Sequence, residues 1–144
     1  MRLRSCTRGG AEAVARARAL AGIRFRPQGR QPEHGLDCLG LVAQAAAIPE
    51  EEVPRGYRLR SQVPEEAMRS TFGNRVRPIE PHQAGEGDVA LVRAGAGQHH
   101  LLILTANGFI HADARHGRVV ETPGSPEWPL IAAWQVVGQV VEQS

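Results

Sequence analysis

His34-Gly35-Leu36-Asp37-Cys38-Leu39-Gly40-Leu41-Val42 decides how this chain is read. Cys38 opens an Ala-rich apolar run that reaches Ile48, and the run predicts a helix. Asp37 is a good N-cap residue, because its carboxylate can accept from the first free amides of the helix. A thiol in the first turn feels the positive end of the helix dipole, which favours the thiolate, the nucleophilic form. Gly40 is a poor helix former, so its place in the first turn predicts that another part of the chain comes close to the backbone there. For a free cysteine the plainer role is a small buried hydrophobe.

A nucleophilic cysteine needs a base and an orienting partner. Gln98-His99-His100-Leu101-Leu102-Ile103-Leu104 supplies candidates for the base, and Gly108-Phe109-Ile110-His111-Ala112 a candidate for the orienter. His99 and His100 are neighbours on a strand and therefore point to opposite faces. His100, which begins the apolar run, is taken as the base, with His99 in reserve. His111 lies in an apolar strand, where a buried imidazole needs a partner. His34, His82 and His116 fall in loops and are expected to be solvated.

The chain around these motifs has 144 residues, 42% of them apolar, enough for one domain with a real core. Residues 1–9 are expected to fray. All 17 basic residues are Arg, and the net charge is only +2. The arginines are scattered and offset by acids, so nothing points to nucleic acid. Arg24, Arg26, Arg30, Arg55, Arg58 and Arg60 are read as a solvated surface. Cys6 and Cys38 are expected to be free thiols. No apolar run is long enough to span a membrane, and no signal-peptide core follows the N-terminal arginines. The expectation is a chain made in the cytoplasm that meets a cell wall after lysis or inside a particle.

Gly10 to Ala21 predicts a helix with Gly22 as its C-cap residue. Ile23 to Gly35 reads as a loop, the Cys38 helix stops near Pro49, Glu50 to Val63 is irregular, and Pro64-Glu65-Glu66 looks like a helix start. Strands are expected at Asp88–Arg93, His100–Thr105, Phe109–Ala112, Arg118–Glu121 and Ile131–Val141, the last bent at Gly138. Helices followed by a mostly antiparallel sheet make an α+β domain, with the nucleophile at a helix N-terminus.

The ordered set Asp-Cys-x-Gly-Leu-Val, His with four apolar residues, and Phe-Ile-His-Ala resembles the NlpC/P60 family of papain-like cysteine peptidases. The Gly87-Asp88 turn and Gly22 with Phe25 fit as well, so the likeness runs from about Ala13 to Trp134. Arg118-Val-Val-Glu-Thr-Pro-Gly is most similar to the phage and gene-transfer-agent cell-wall peptidases. The resemblance implies hydrolysis of peptidoglycan stem peptides between D-glutamate and a diamino acid. Cys38 would be the nucleophile, His100 the base and His111 the orienter, and no cofactor or metal is implied. The Cys38 backbone amide would hold the oxyanion. Phe25 stands where the family usually has a Tyr whose hydroxyl helps the site.

The spacing of His100 and His111 departs from many relatives by one residue. A two-residue turn at Asn107-Gly108 would put the rings about 13 Å apart. A direct hydrogen bond is expected to need a turn centred near Thr105-Ala106, or a bulge. Three other readings compete: a Cys-His₂ zinc site of Cys38, His100 and His111, with or without His99; a non-catalytic phage-tail or particle component; and a papain-like acyltransferase or amidase.

Overall fold

The computed structural model describes residues 7–49, 74–95 and 98–137. Helix α1 spans Arg8–Ala19, and the Thr7 hydroxyl caps it by accepting from the Gly10 amide at 2.9 Å. Gly9 and Gly10 are buried, so the expected fraying through residue 9 is corrected: the chain is helical from Arg8. Ala13, Val14 and Ala17 form the buried stripe of α1. Gly22 lies beyond the Leu20 cap, at φ +92°, and its amide bonds to Val119 O at 2.8 Å.

The segment expected to be a plain loop contains a small hairpin, β1 (Arg30–Gln31) and β2 (Gly35–Leu36). Helix α2 then runs Cys38–Ala45. It stops three residues short of Ile48 because Ala47 turns into the left-handed region at φ 59°. Leu36, Leu39, Leu41 and Val42 are fully buried around it. Each such side chain stabilises the fold by roughly 1.5–3 kcal/mol.

Among the described residues six strands follow: β3 Val76–Ile79, β4 Val89–Gly95, β5 Gln98–Leu104, β6 Gly108–Asp113, β7 Arg118–Pro123 and β8 Leu130–Val136. They form one sheet in the order β3-β8-β4-β5-β6-β7, with every pairing antiparallel. Alternation along the strands divides the core in two. Leu91, Leu101, Ile103, Ile110 and Ala112 pack against α1 and α2. Ala90, Val92, Leu102 and Phe109 form a smaller cluster on the other face, with Trp128 and Leu130 packed on it. This is the α+β arrangement expected. Cys6, the Glu50–Val63 stretch, the helix start at Pro64, Gly138, and Arg55, Arg58 and Arg60 lie outside the described residues.

The β5–β6 turn differs from both registers considered for it. Ile103 pairs with Ile110 and Leu104 with Phe109, so the two turn residues are Ala106 and Asn107. Gly108 belongs to the strand for a steric reason. A Cβ there would lie 2.0 Å from Thr122 O on β7. The glycine of the Asn-Gly pair serves a close strand contact, not the turn.

Candidate active site

Asp37 builds the start of α2. Its carboxylate accepts from the Gly40 amide at 2.8 Å, the Gln28 amide at 2.9 Å and Arg30 Nη1 at 3.0 Å. One side chain thus caps the helix and fastens the β1 loop to it. Arg30 is buried and ion-paired, which corrects its reading as a solvated basic residue. Arg24 and Arg26 are exposed as expected. The close approach predicted at Gly40 is present: a Cβ there would lie 2.1 Å from Gly29 O.

Cys38 is 1% exposed. Burial, and next the neighbouring Asp37 carboxylate, push its thiol up to about 12; the Leu101 and Leu39 amides and Arg30 pull weakly the other way. The thiolate expected from the helix N-terminus alone is therefore not the resting form. Removing the sulfur from water costs the charged form more than the Leu101 and Leu39 amides and Arg30 return.

His100 and His111 come together on the sheet face that carries Phe109 and Trp128. Continuing the β5–β6 register, His111 stands opposite Leu102, with His100 two positions further along β5 on the same face. Such diagonal neighbours are about 7–8 Å apart at the backbone, within reach of long side chains. The rings close this gap: His100 Nε2 lies 2.8 Å from His111 Nδ1. The expected need for a turn at Thr105-Ala106 or a bulge is thereby corrected. Trp128 stands edge-on to His100 and tilted against His111, with both centroid distances 6.0 Å. Burial, then the neighbouring His111, take His100 down to about 4, with Asp113 opposing. Burial also lowers His111, again against Asp113.

A cleft of about 460 Å³ at the ends of β5 and β6 is lined by Cys38, Phe25, His99, His100, His111 and Trp128, with Asp113, Arg115 and Glu127 also on its wall. Phe25 is set there by its amide bond to Gly117 O at 2.9 Å and its bridge to Leu36. All the predicted site residues thus share one cleft. His99 has no part in the histidine pair, and its Nδ1 is buried without a hydrogen-bond partner. His34 and His82 are exposed. His116 is exposed too, but its ring hydrogen-bonds to Asp113.

The sequence reading missed Asp113 and Trp128. Asp113 shares a strand face with His111 by the two-residue period, a signal that was there to be used. Trp128 lies in the connection before β8, where no periodicity marks it. The zinc reading finds no ligand set: among the described residues no three Cys, His, Asp or Glu side chains are grouped to hold an ion. Two of its proposed ligands spend ring nitrogens on each other.

No family model matches the chain. It is 27% identical over 110 residues to the murein DD-endopeptidase MepS/murein LD-carboxypeptidase of Escherichia coli K12, covering 74% of this chain and 51% of that protein. The chain therefore spans about half the length of the curated relatives it matches. The NlpC/P60 domain of the peptidoglycan hydrolase SagA superposes with a TM-score of 0.53 at 25% identity, over 79% of this chain and 88% of that one. The peptidoglycan hydrolase RipB of Mycobacterium tuberculosis gives 0.57 at 19% identity, over 92% and 66%. NlpC2 of Trichomonas vaginalis gives 0.61 at 19%, over 91% and 49%.

Helices stacked on one face of an antiparallel sheet, with a cysteine opening a helix beside histidines from adjacent strands, define a papain-like α+β domain. Within that class the sequence and fold likenesses agree on one kind. The chain has the fold of NlpC/P60 domains such as that of SagA, and its sequence is similar to a murein endopeptidase.

Proposed function

We propose that the protein is a cysteine peptidase that hydrolyses peptidoglycan stem peptides, between D-glutamate and the diamino acid. One observation carries this reading: Cys38 and the hydrogen-bonded His100–His111 pair line the same cleft. The names of the similar proteins, a murein endopeptidase and peptidoglycan hydrolases, support the substrate class. The bond within the stem peptide rests on the family resemblance.

With His100 Nε2 engaged by His111, Nδ1 is the nitrogen left for the thiol. The free protein holds a neutral thiol and a neutral imidazole, since one titrates near 12 and the other near 4. The Cys38 proton therefore moves to His100 as the sulfur attacks the peptide carbonyl, which is general-base catalysis rather than use of a standing ion pair. The Cys38 amide, in the first turn of α2, donates to the oxyanion. His100 then protonates the leaving amine, and water, deprotonated by His100, cleaves the thioester. Phe25 offers no hydroxyl to the oxyanion. One missing donor of this kind typically costs about 100- to 1000-fold in rate.

The motif likeness to phage and gene-transfer-agent enzymes extends the proposal to delivery by a particle or release on lysis. Digestion of purified muropeptides, with products identified by mass spectrometry, tests the reading. A new amino terminus on the diamino acid is expected. Intact muropeptides would leave a binding role, and peptides joined to an added amine would indicate acyl transfer.

A further inference from the structure

Behind His111 stands a carboxylate that the proposed mechanism does not use. Asp113 lies two residues along β6, with Oδ2 4.0 Å from His111 Nε2. Its carboxylate is fixed from two sides. The Arg115 amide donates to Oδ1 at 2.9 Å, and the His116 ring bonds to Oδ2.

We propose that Asp113 is a positioning residue: its carboxylate keeps the His111 proton on Nε2, which leaves His100 Nδ1 unprotonated and available to the Cys38 thiol. This rests on Cys38 and His100 being nucleophile and base. A single proton occupies the 2.8 Å gap between His100 Nε2 and His111 Nδ1. If His111 supplied it from Nδ1, its Nε2 lone pair would face the carboxylate, and neutral His100 would carry its own proton on Nδ1. Such a His100 could not take a proton from the thiol. With the His111 proton on Nε2 the charge–dipole contact is favourable, His111 Nδ1 accepts from His100 Nε2–H, and the base is in its working form. Electrostatics agree, because Asp113 favours the protonated form of both rings. Burial works to raise Asp113 itself, but bonds from His116 and the Arg115 amide and the nearby imidazoles win and hold it below the ordinary carboxylate range.

The charged and titratable groups around Asp113 are His111 on its own strand, His100 on β5, Arg115 and His116 in the turn, Arg118 paired with it on β7, and Glu127 across the cleft. The test is long-range ¹H–¹⁵N NMR of the ring nitrogens, with muropeptide kinetics, on the wild type, Asp113→Asn and Asp113→Glu. The wild type should show His111 protonated on Nε2 and bare on Nδ1. Asp113→Asn should lose that single form and drop kcat about 10-fold, well below the roughly 10⁴-fold cost of removing the group directly bonded to a catalytic histidine. KM should hold, and the acid limb of the rate profile should move to lower pH as His100 loses a stabilising charge. Asp113→Glu should restore most of both. A wild-type His111 protonated on Nδ1 overturns the inference, whatever the variants do. So does an Asp113→Asn protein with unchanged tautomer, kcat and acid limb. Failure of the wild type to cleave muropeptides sinks the peptidase reading instead, and the NMR result still decides the tautomer.

Discussion

His100 and His111 meet at 2.8 Å across a diagonal of the β5–β6 ladder, not as directly opposed residues. That geometry selects one of two adjacent histidines. His100 shares its sheet face with His111, Phe109 and Trp128, whereas His99, one residue earlier, has the opposite orientation.

Replacement of each histidine should separate them. His100→Ala would remove the proposed base and is expected to lower kcat by about 1000-fold or more, within the range usual for loss of general-base catalysis or a triad member. His99→Ala should stay within a few-fold of wild type. Steady-state hydrolysis of a muropeptide by both variants checks this, and a larger loss for His99→Ala would exchange their roles.

Stability should fall in acid. His100 titrates near 4 in the folded protein against 6.5 for an unperturbed imidazole. Its folded value is depressed, so the unfolded chain binds the proton first as pH falls, and stability declines between about pH 6.5 and 4. The contribution of this one ring is roughly 3 kcal/mol at most. His100→Gln should flatten that part of the profile in urea unfolding followed across this pH range. An unchanged slope would contradict the assignment.

The helix start should tolerate little. Gly40→Ala forces a Cβ to 2.1 Å from Gly29 O, a backbone atom that cannot step aside. A loss of about 3 kcal/mol or more is expected, at the upper end for overpacking. Asp37→Ala removes the cap and strands Arg30 without its buried partner, for about 3–5 kcal/mol. Thermal or urea unfolding of the two proteins measures both.

The region around Cys38 was legible because its signals are local. Asp37 as cap and Gly40 as a point of close approach follow from residue type and spacing, and both are found. The histidine pair was legible as a set but not in register. Asn107-Gly108 carries an ordinary turn signal, while the reason Gly108 must be glycine lies across the sheet at Thr122. The ionisation of Cys38 was misread for a similar reason. The helix N-terminus is visible in sequence, whereas the burial that outweighs it is a tertiary fact. Trp128 reaches the site from the connection before β8, and no local pattern announces that.

The central claim is that the Cys38 sulfur forms and breaks the bond to the stem peptide. The most direct measurement compares muropeptide cleavage by the wild type and by Cys38→Ala, with circular dichroism showing both folded. The account predicts new peptide termini with the wild type and none with Cys38→Ala. Cleavage by Cys38→Ala at the wild-type rate would contradict it.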